Sequence, residues 1–349
     1  MVLKNQTQSA EHGAIAIQAQ GDVQVQAGVS YESARQIALD VYQANFPILV
    51  AEAASLARAR AEELTDKFLK QLQQENPGGF SQAANPDFQN ALLSAQREHA
   101  CAGNAELADL LVDLLVDRTK QPERNLMQLV IDEALKTAPK LTEQQLAVLG
   151  VVFLLSRARS NAPSWPGVIS WMSQLVLPVL KNVEVTPSTI SHLQFTGCGT
   201  VGLMGADLAQ ALWDAYSGFF QSGFTDEQLE AKLLPDNALR FISSLDNSDN
   251  LKQVNIPNLD VVDVMQKDGA FDTEAAEKLK ALIRDYRISP SEIKERVLLP
   301  LPSMSSAFDL WDKEYLGKLA LTSVGMAIGH AYVKKTIRQE FAPLSIWIN

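Results

Sequence analysis

The apolar and polar positions change their rhythm along the chain. In AIAIQAQGDVQVQAG, residues 14–28, Ile15, Ile17, Val23 and Val25 alternate with Gln18, Gln20, Gln24 and Gln26, and Gly21-Asp22 interrupts the run. A period of two broken by Gly-Asp predicts two short strands and a tight turn. An isolated hairpin is marginal in water. It therefore has to pack, either on its own body or on copies of itself, since an unblunted strand edge recruits other chains. The sequence leaves both open.

After Ser30 the period becomes helical, from Tyr31 to about Gln74, and Pro47 is expected to break or kink the run near Phe46. The second half carries a narrow stripe of Leu56, Leu64, Phe68 and Leu72, with Ala57 and Ala61 beside it, which suits packing on one partner helix. ENPGGFSQAANPD, residues 75–87, is a linker by composition. Five helical segments follow in 88–181. Asn104 and Thr142 are candidate caps, and Pro166 sits at a first-turn position. Short links between helices describe a bundle.

From residue 186 the texture is mixed. Thr186-Pro187 opens a short helix, Thr225 caps DEQLEAKLL, a helix is expected over 273–286, Ser289 to Glu292 form a capping box, and LSIWIN is expected to be a terminal strand. The fold class predicted is mainly α: a helical bundle with a small N-terminal β hairpin and one or two degenerate winged-helix-like units. The expected divisions are a polar tail and hairpin (1–29), a long helix (30–74), a bundle (85–183) and an α+β winged-helix-like region (184–349).

FTGCGTVGLMGAD, residues 195–207, places Gly197, Gly199 and Gly202 in G-x-G-x-x-G spacing. A dinucleotide loop also needs a buried strand before it and an acidic residue about 20 positions on. Only the following helix is present. The glycines are read instead as positive-φ turn positions. A similar cadence returns in YLGKLALTSVGMAIGHAYV.

Length and charge narrow the function. A chain of 349 residues suits two or three subdomains. A net charge of −11 disfavours phosphate backbones, and no Lys or Arg occurs between Lys181 and Lys232. The weak basic cluster Lys313, Lys318, Lys334, Lys335 and Arg338 suits a helix end as well as a nucleic acid. Cys101 and Cys198 are far apart, so no disulfide is expected and a cytoplasmic setting fits. The four histidines are scattered, and neither a metal nor a cofactor is expected. A Cys198/His192 nucleophile is outweighed by a buried cysteine in a turn. Asp109, Asp113 and Asp117 recur at i, i+4 and i+8 and are read as a solvated face. The apolar runs 146–156 and 168–180 are short of the ~20 residues that span a bilayer.

The body from Asn85 to Val333 resembles the bacterial abortive-infection alpha family, in NPDFQNALLSAQREHA, LTEQQLAVLGVVFLLS, ISHLQFTGCG and LALTSVGMAIGHAYV. GDVQVQAGVSYESARQIALDVYQANF together with PLSIWIN looks like an uncharacterised bacterial group. The resemblance implies an antiphage context and carries over no catalytic residue. The expectation is a non-enzymatic protein that self-assembles through Ile15, Ile17, Val23 and Val25 of the hairpin and Leu56, Leu64, Phe68 and Leu72 of the long helix. It would be a homo-oligomer, with a further protein partner left open. The alternatives are a membrane-acting effector that exposes helices 146–180 without spanning, and a nucleic-acid-binding regulator that uses the C-terminal unit.

Overall fold

The computed structural model describes residues 31–348, apart from 122, 246, 247, 249, 314, 315, 339 and 340; before Val50, only the side chain of Arg35 is described. The predicted hairpin, with Ile15, Ile17, Val23 and Val25, lies outside the described residues. By contacts the chain divides into two compact units, Met1–Leu56 and Ala57–Asn349.

The chain is mainly α-helical with small β elements. The first helices are α1 (Tyr31–Glu75), α2 (Pro86–Ala102), α3 (Ala105–Thr119), α4 (Leu126–Thr137), α5 (Glu143–Ser156), α6 (Trp165–Trp171), α7 (Leu177–Leu180) and α8 (Pro187–Phe195). Strand β1 (Gly199–Val201) precedes α9 (Leu208–Tyr216), α10 (Asp226–Glu230) and α11 (Asp236–Leu239). A hairpin of β2 (Ile242–Ser244) and β3 (Lys252–Val254) leads to α12 (Leu259–Lys267), α13 (Thr273–Asp285), α14 (Pro290–Leu298) and α15 (Ser305–Lys313). The last elements are β4 (Leu319–Leu321) and α16 (Ser323–Ile337).

Helix starts follow local chemistry. The side chains of Asn104, Thr142, Thr186, Thr225 and Ser289 each accept a backbone N–H at a first turn, and the last four close capping boxes. Of the two outcomes expected at Pro47, the break is not seen: α1 runs as one helix from Tyr31 to Glu75. The ring removes one N–H from the ladder there without ending the helix. The expected linker is also ordered, with Pro77–Ala84 forming a 3-10 helix capped by Asn85.

The apolar run 146–156 becomes the central helix. Every residue of α5 from Gln145 to Leu155 is buried. Helix α16 packs along it so closely that a Cβ on Gly329 would lie 2.7 Å from the Leu149 carbonyl oxygen. Among the described residues no helix is long and apolar enough to cross a membrane.

The two helix–strand–helix cadences belong together. Strand β1, from GCGTVG, pairs antiparallel with β4, from GKLALTS, with Gly199 opposite Leu321 and Val201 opposite Leu319. They are two halves of one small sheet rather than two self-contained units. Of the three glycines in the motif only Gly197 has positive φ, at 73°. The terminal strand expected of LSIWIN is not formed: Leu344–Ile346 is a 3-10 turn. Its side chains explain why. Leu344 and Ile348 bury against the helical body and Trp347 Nε1 donates to the Arg157 carbonyl at 3.0 Å, so the segment is fixed by packing and has no strand neighbour.

Candidate functional site

Helix α1 supplies the first wall. Leu64, Phe68 and Leu72 are all buried, and the Phe68 ring lies 5.7 Å from that of Phe88 on α2. Arg60 donates to the Ala100 carbonyl at 2.9 Å, and Gln96 donates to Thr65 at 2.8 Å, so the seam is tied at both levels. The stripe read as an assembly face is thus occupied within the chain: Leu64, Phe68 and Leu72 face its own core. Leu56 differs and stays 52% exposed.

The opposite wall is α3. Asp109, Asp113 and Asp117 do share one face, but the face is not solvated as expected. Asp113 and Asp117 are buried, because the C-terminal turn of α16 covers them. Lys334 Nζ stands 3.4 Å from Asp113, 3.4 Å from Glu75 and 3.9 Å from Asp117. Lys120 adds a second ammonium, 2.7 Å from Asp117 and 3.6 Å from Glu75. Gln71 donates to Asp113 at 2.6 Å and to Glu75 at 2.7 Å. Next along α16, Lys335 reaches Glu106 at 3.2 Å and Glu143 at 3.3 Å. Glu143 also accepts from the Tyr332 hydroxyl at 2.9 Å. Burial and this carboxylate push the Tyr332 hydroxyl up to about 12.

These charges do not share evenly. Burial pulls Lys334 down, but Asp117, Asp113 and Glu75 outweigh it and hold its pKa above the usual lysine value. Burial pushes the Asp113 carboxyl up, and Lys334 and Gln71 only partly oppose this. The two directions agree physically: Lys334 faces three carboxylates, whereas the buried Asp113 has Lys334 as its one ion-pair partner among the described residues.

The groove so formed has a volume of ≈ 830 Å³. Its lining carries six cations (Lys67, Lys70, Lys120, Lys334, Lys335, Arg338) against four carboxylates (Glu75, Asp109, Asp113, Asp117). His330, one turn before Lys334, also lines it and is 1% exposed. Its Nε2 donates to the Ala342 carbonyl at 2.8 Å. A carbonyl only accepts, so the proton sits on Nε2 and Nδ1 holds a lone pair, which has no partner. The ring is enclosed by Phe153, Phe341 and Trp347, at centroid distances of 5.8, 5.5 and 5.7 Å. Burial lowers its pKa. The i, i+4 spacing of His330 and Lys334 was visible in the sequence. The fold-back of the C-terminal segment over the ring was not.

A second feature lies at the glycine turn. Cys198 is buried, and burial pushes its thiol up, against thiolate formation. His192 is engaged by Gln145, whose amide lies 3.0 Å from Nδ1. What the turn does display is apolar surface: Phe195, Leu203 and Met204 are 86%, 100% and 90% exposed.

The fold and these sites define a mainly α-helical protein with small β elements, a charged groove and an apolar loop. The model of an uncharacterised protein family matches residues 28–348, and the chain belongs to that family. No curated protein and no solved structure matches the chain.

Proposed function

We propose that this chain is a non-enzymatic, cytoplasmic, abortive-infection-like antiphage protein that self-assembles and acts through protein contacts. The observation that carries the contact reading is the exposed trio Phe195, Leu203 and Met204. Side chains of this size set in solvent over one short connection are costly unless a partner covers them. The same connection lies in the stretch from Lys181 to Lys232 that holds no other Lys or Arg, with Glu184, Asp207 and Asp214 nearby in sequence, and Lys318 packs beside it at Gly205. The antiphage context rests on the resemblance of residues 85–333 alone.

Light scattering tests the assembly. The full chain is expected to be a defined oligomer at micromolar concentration, and a Leu203→Ser, Met204→Ser variant or a chain starting at Ser30 is expected to dissociate. A monomer throughout would sink the proposal. Plating of phage on cells with and without the chain tests the context, and unchanged plaque counts across a broad panel would remove it.

A further inference from the structure

The charged groove goes beyond protein contacts. We propose that the groove between α1, α3 and α16 binds a phosphate-bearing small molecule that also carries hydroxyl groups, the class of sugar phosphates and nucleotides. Three observations converge on this.

The first is charge. A chain of net charge −11 gathers six cations in the lining of one concave site; Lys67, Lys120, Lys334 and Lys335 are ion-paired, Lys67 and Lys335 in part with Glu63, Glu106 and Glu143 beside the lining, which leaves Lys70 and Arg338 to meet an anion. Cations grouped in a concave site attract anions. The second is how the groups are ordered by depth. At the exposed rim, Lys70 and Arg338 have no carboxylate partner among the described residues. Arg338 ends α16 in the left-handed capping conformation, φ 50°, with its N–H on the Lys334 carbonyl, which fixes where its side chain leaves the helix. Deeper in, Asp113 and Asp117 already take donors from Lys334, Lys120 and Gln71, and the one acceptor left without a donor is His330 Nδ1. A phosphate serves the rim cations but offers nothing to this nitrogen, whereas a hydroxyl can donate to it but does not serve the rim. A ligand with both ends satisfies each. The third is size, since ≈ 830 Å³ falls among the volumes of small-molecule pockets. A metal ion is the wrong occupant, because Lys334 already stands among the floor carboxylates as their cation.

Calorimetry on the full chain with inorganic phosphate, ribose, ribose 5-phosphate and adenosine 5′-monophosphate tests this. At least one of the two phosphate esters is expected to bind ten-fold or more tightly than inorganic phosphate, and ribose not measurably. Lys70→Gln with Arg338→Asn is expected to weaken the ester ten-fold or more with an unchanged helical circular dichroism signal; Asn also suits the positive φ at 338. His330→Phe is expected to weaken the ester while leaving inorganic phosphate unaffected. Three results overturn the proposal: no saturable binding of either ester up to millimolar concentration, equal affinity for ester and inorganic phosphate, or full ester affinity in the rim variant. None of these depends on the assembly state, so failure here is separable from failure of the contact reading.

Discussion

Helix α16 makes two seams of opposite kinds. Along α5 it is dry. Gly329 nearly touches the Leu149 carbonyl, and Phe153 lies edge-on to His330 and 4.9 Å from Trp347. Against α1 and α3, less than two turns further on, the same helix meets its neighbours through ammonium and carboxylate groups. Close packing makes the first seam dependent on shape. The second depends on charge balance, because desolvation cancels much of what buried ion pairs gain. Substitutions should separate the two by size, by pH and by how they combine.

The largest effect is expected in the dry seam. Phe153→Ala removes a fully buried ring that three other rings contact, and it should cost about 4 kcal/mol in urea unfolding. This loss should be somewhat smaller at pH 5 than at pH 7, because opening the cage also relieves the burial that keeps His330 neutral. A loss below about 1 kcal/mol would mean that the C-terminal segment does not pack where it is placed.

The charged seam comes next. Lys334→Met leaves the buried Asp113 without a cation, and Asp117 and Glu75 with Lys120 alone, and should cost about 3 kcal/mol at pH 7. The loss should shrink with acid, since the Asp113 carboxyl, its pKa raised by burial, takes up a proton more readily than an exposed one. Asp113→Asn alone should cost far less, because the Asp113 carboxyl is already held in its less favoured state by burial. In the double variant the two changes should be non-additive. Additivity would show that Lys334 acts by its hydrocarbon stem alone.

His330 joins the seams and gives an intermediate effect. Its folded-state pKa lies below the usual 6.5 through burial, so the unfolded chain takes up a proton that the folded chain refuses. Stability is therefore full above the unfolded value and is lost as the pH falls from there through the folded pKa. His330→Phe should abolish that part of the slope. Asp113, with its raised pKa, works in the opposite direction at lower pH. The difference between wild type and variant isolates the histidine from Asp113, Asp117, Lys120 and Lys334 around it.

What could be seen in the sequence was what is local. Asn104, Thr142, Thr225 and Ser289 bind N–H groups two or three residues away, so their roles follow from spacing alone. The β1–β4 pairing joins three-residue strands separated by more than a hundred positions, and nothing in GTV or LAL marks the other as its partner. The groove is further out of reach. Its walls come from α1 and α3, its lid of lysines from α16 and its enclosing rings from the chain end, so only the fold brings them together. The buried Arg118, which donates to Asp132 at 2.7 Å and to the Gln121 carbonyl, escaped for the same reason: an arginine in DLLVDRT reads as a helix-end cation.

The smallest effect tests the same lesson within one helix. Asp109, Asp113 and Asp117 are equivalent by spacing, yet α16 covers only the latter two. Asp109 is 52% exposed at its side chain and meets Lys67 at 2.9 Å, at the open end of the groove. Solvent and salt screen such a pair, so Asp109→Asn should cost no more than about 0.5 kcal/mol and nothing measurable in high salt. If it instead matched Lys334→Met, the stripe would be one cooperative unit, and its burial gradient would have no energetic meaning. The expected contrast, small at Asp109 and large around Lys334, assigns the gradient to the position of α16. An identical residue pattern then becomes a rim at one end and a floor at the other.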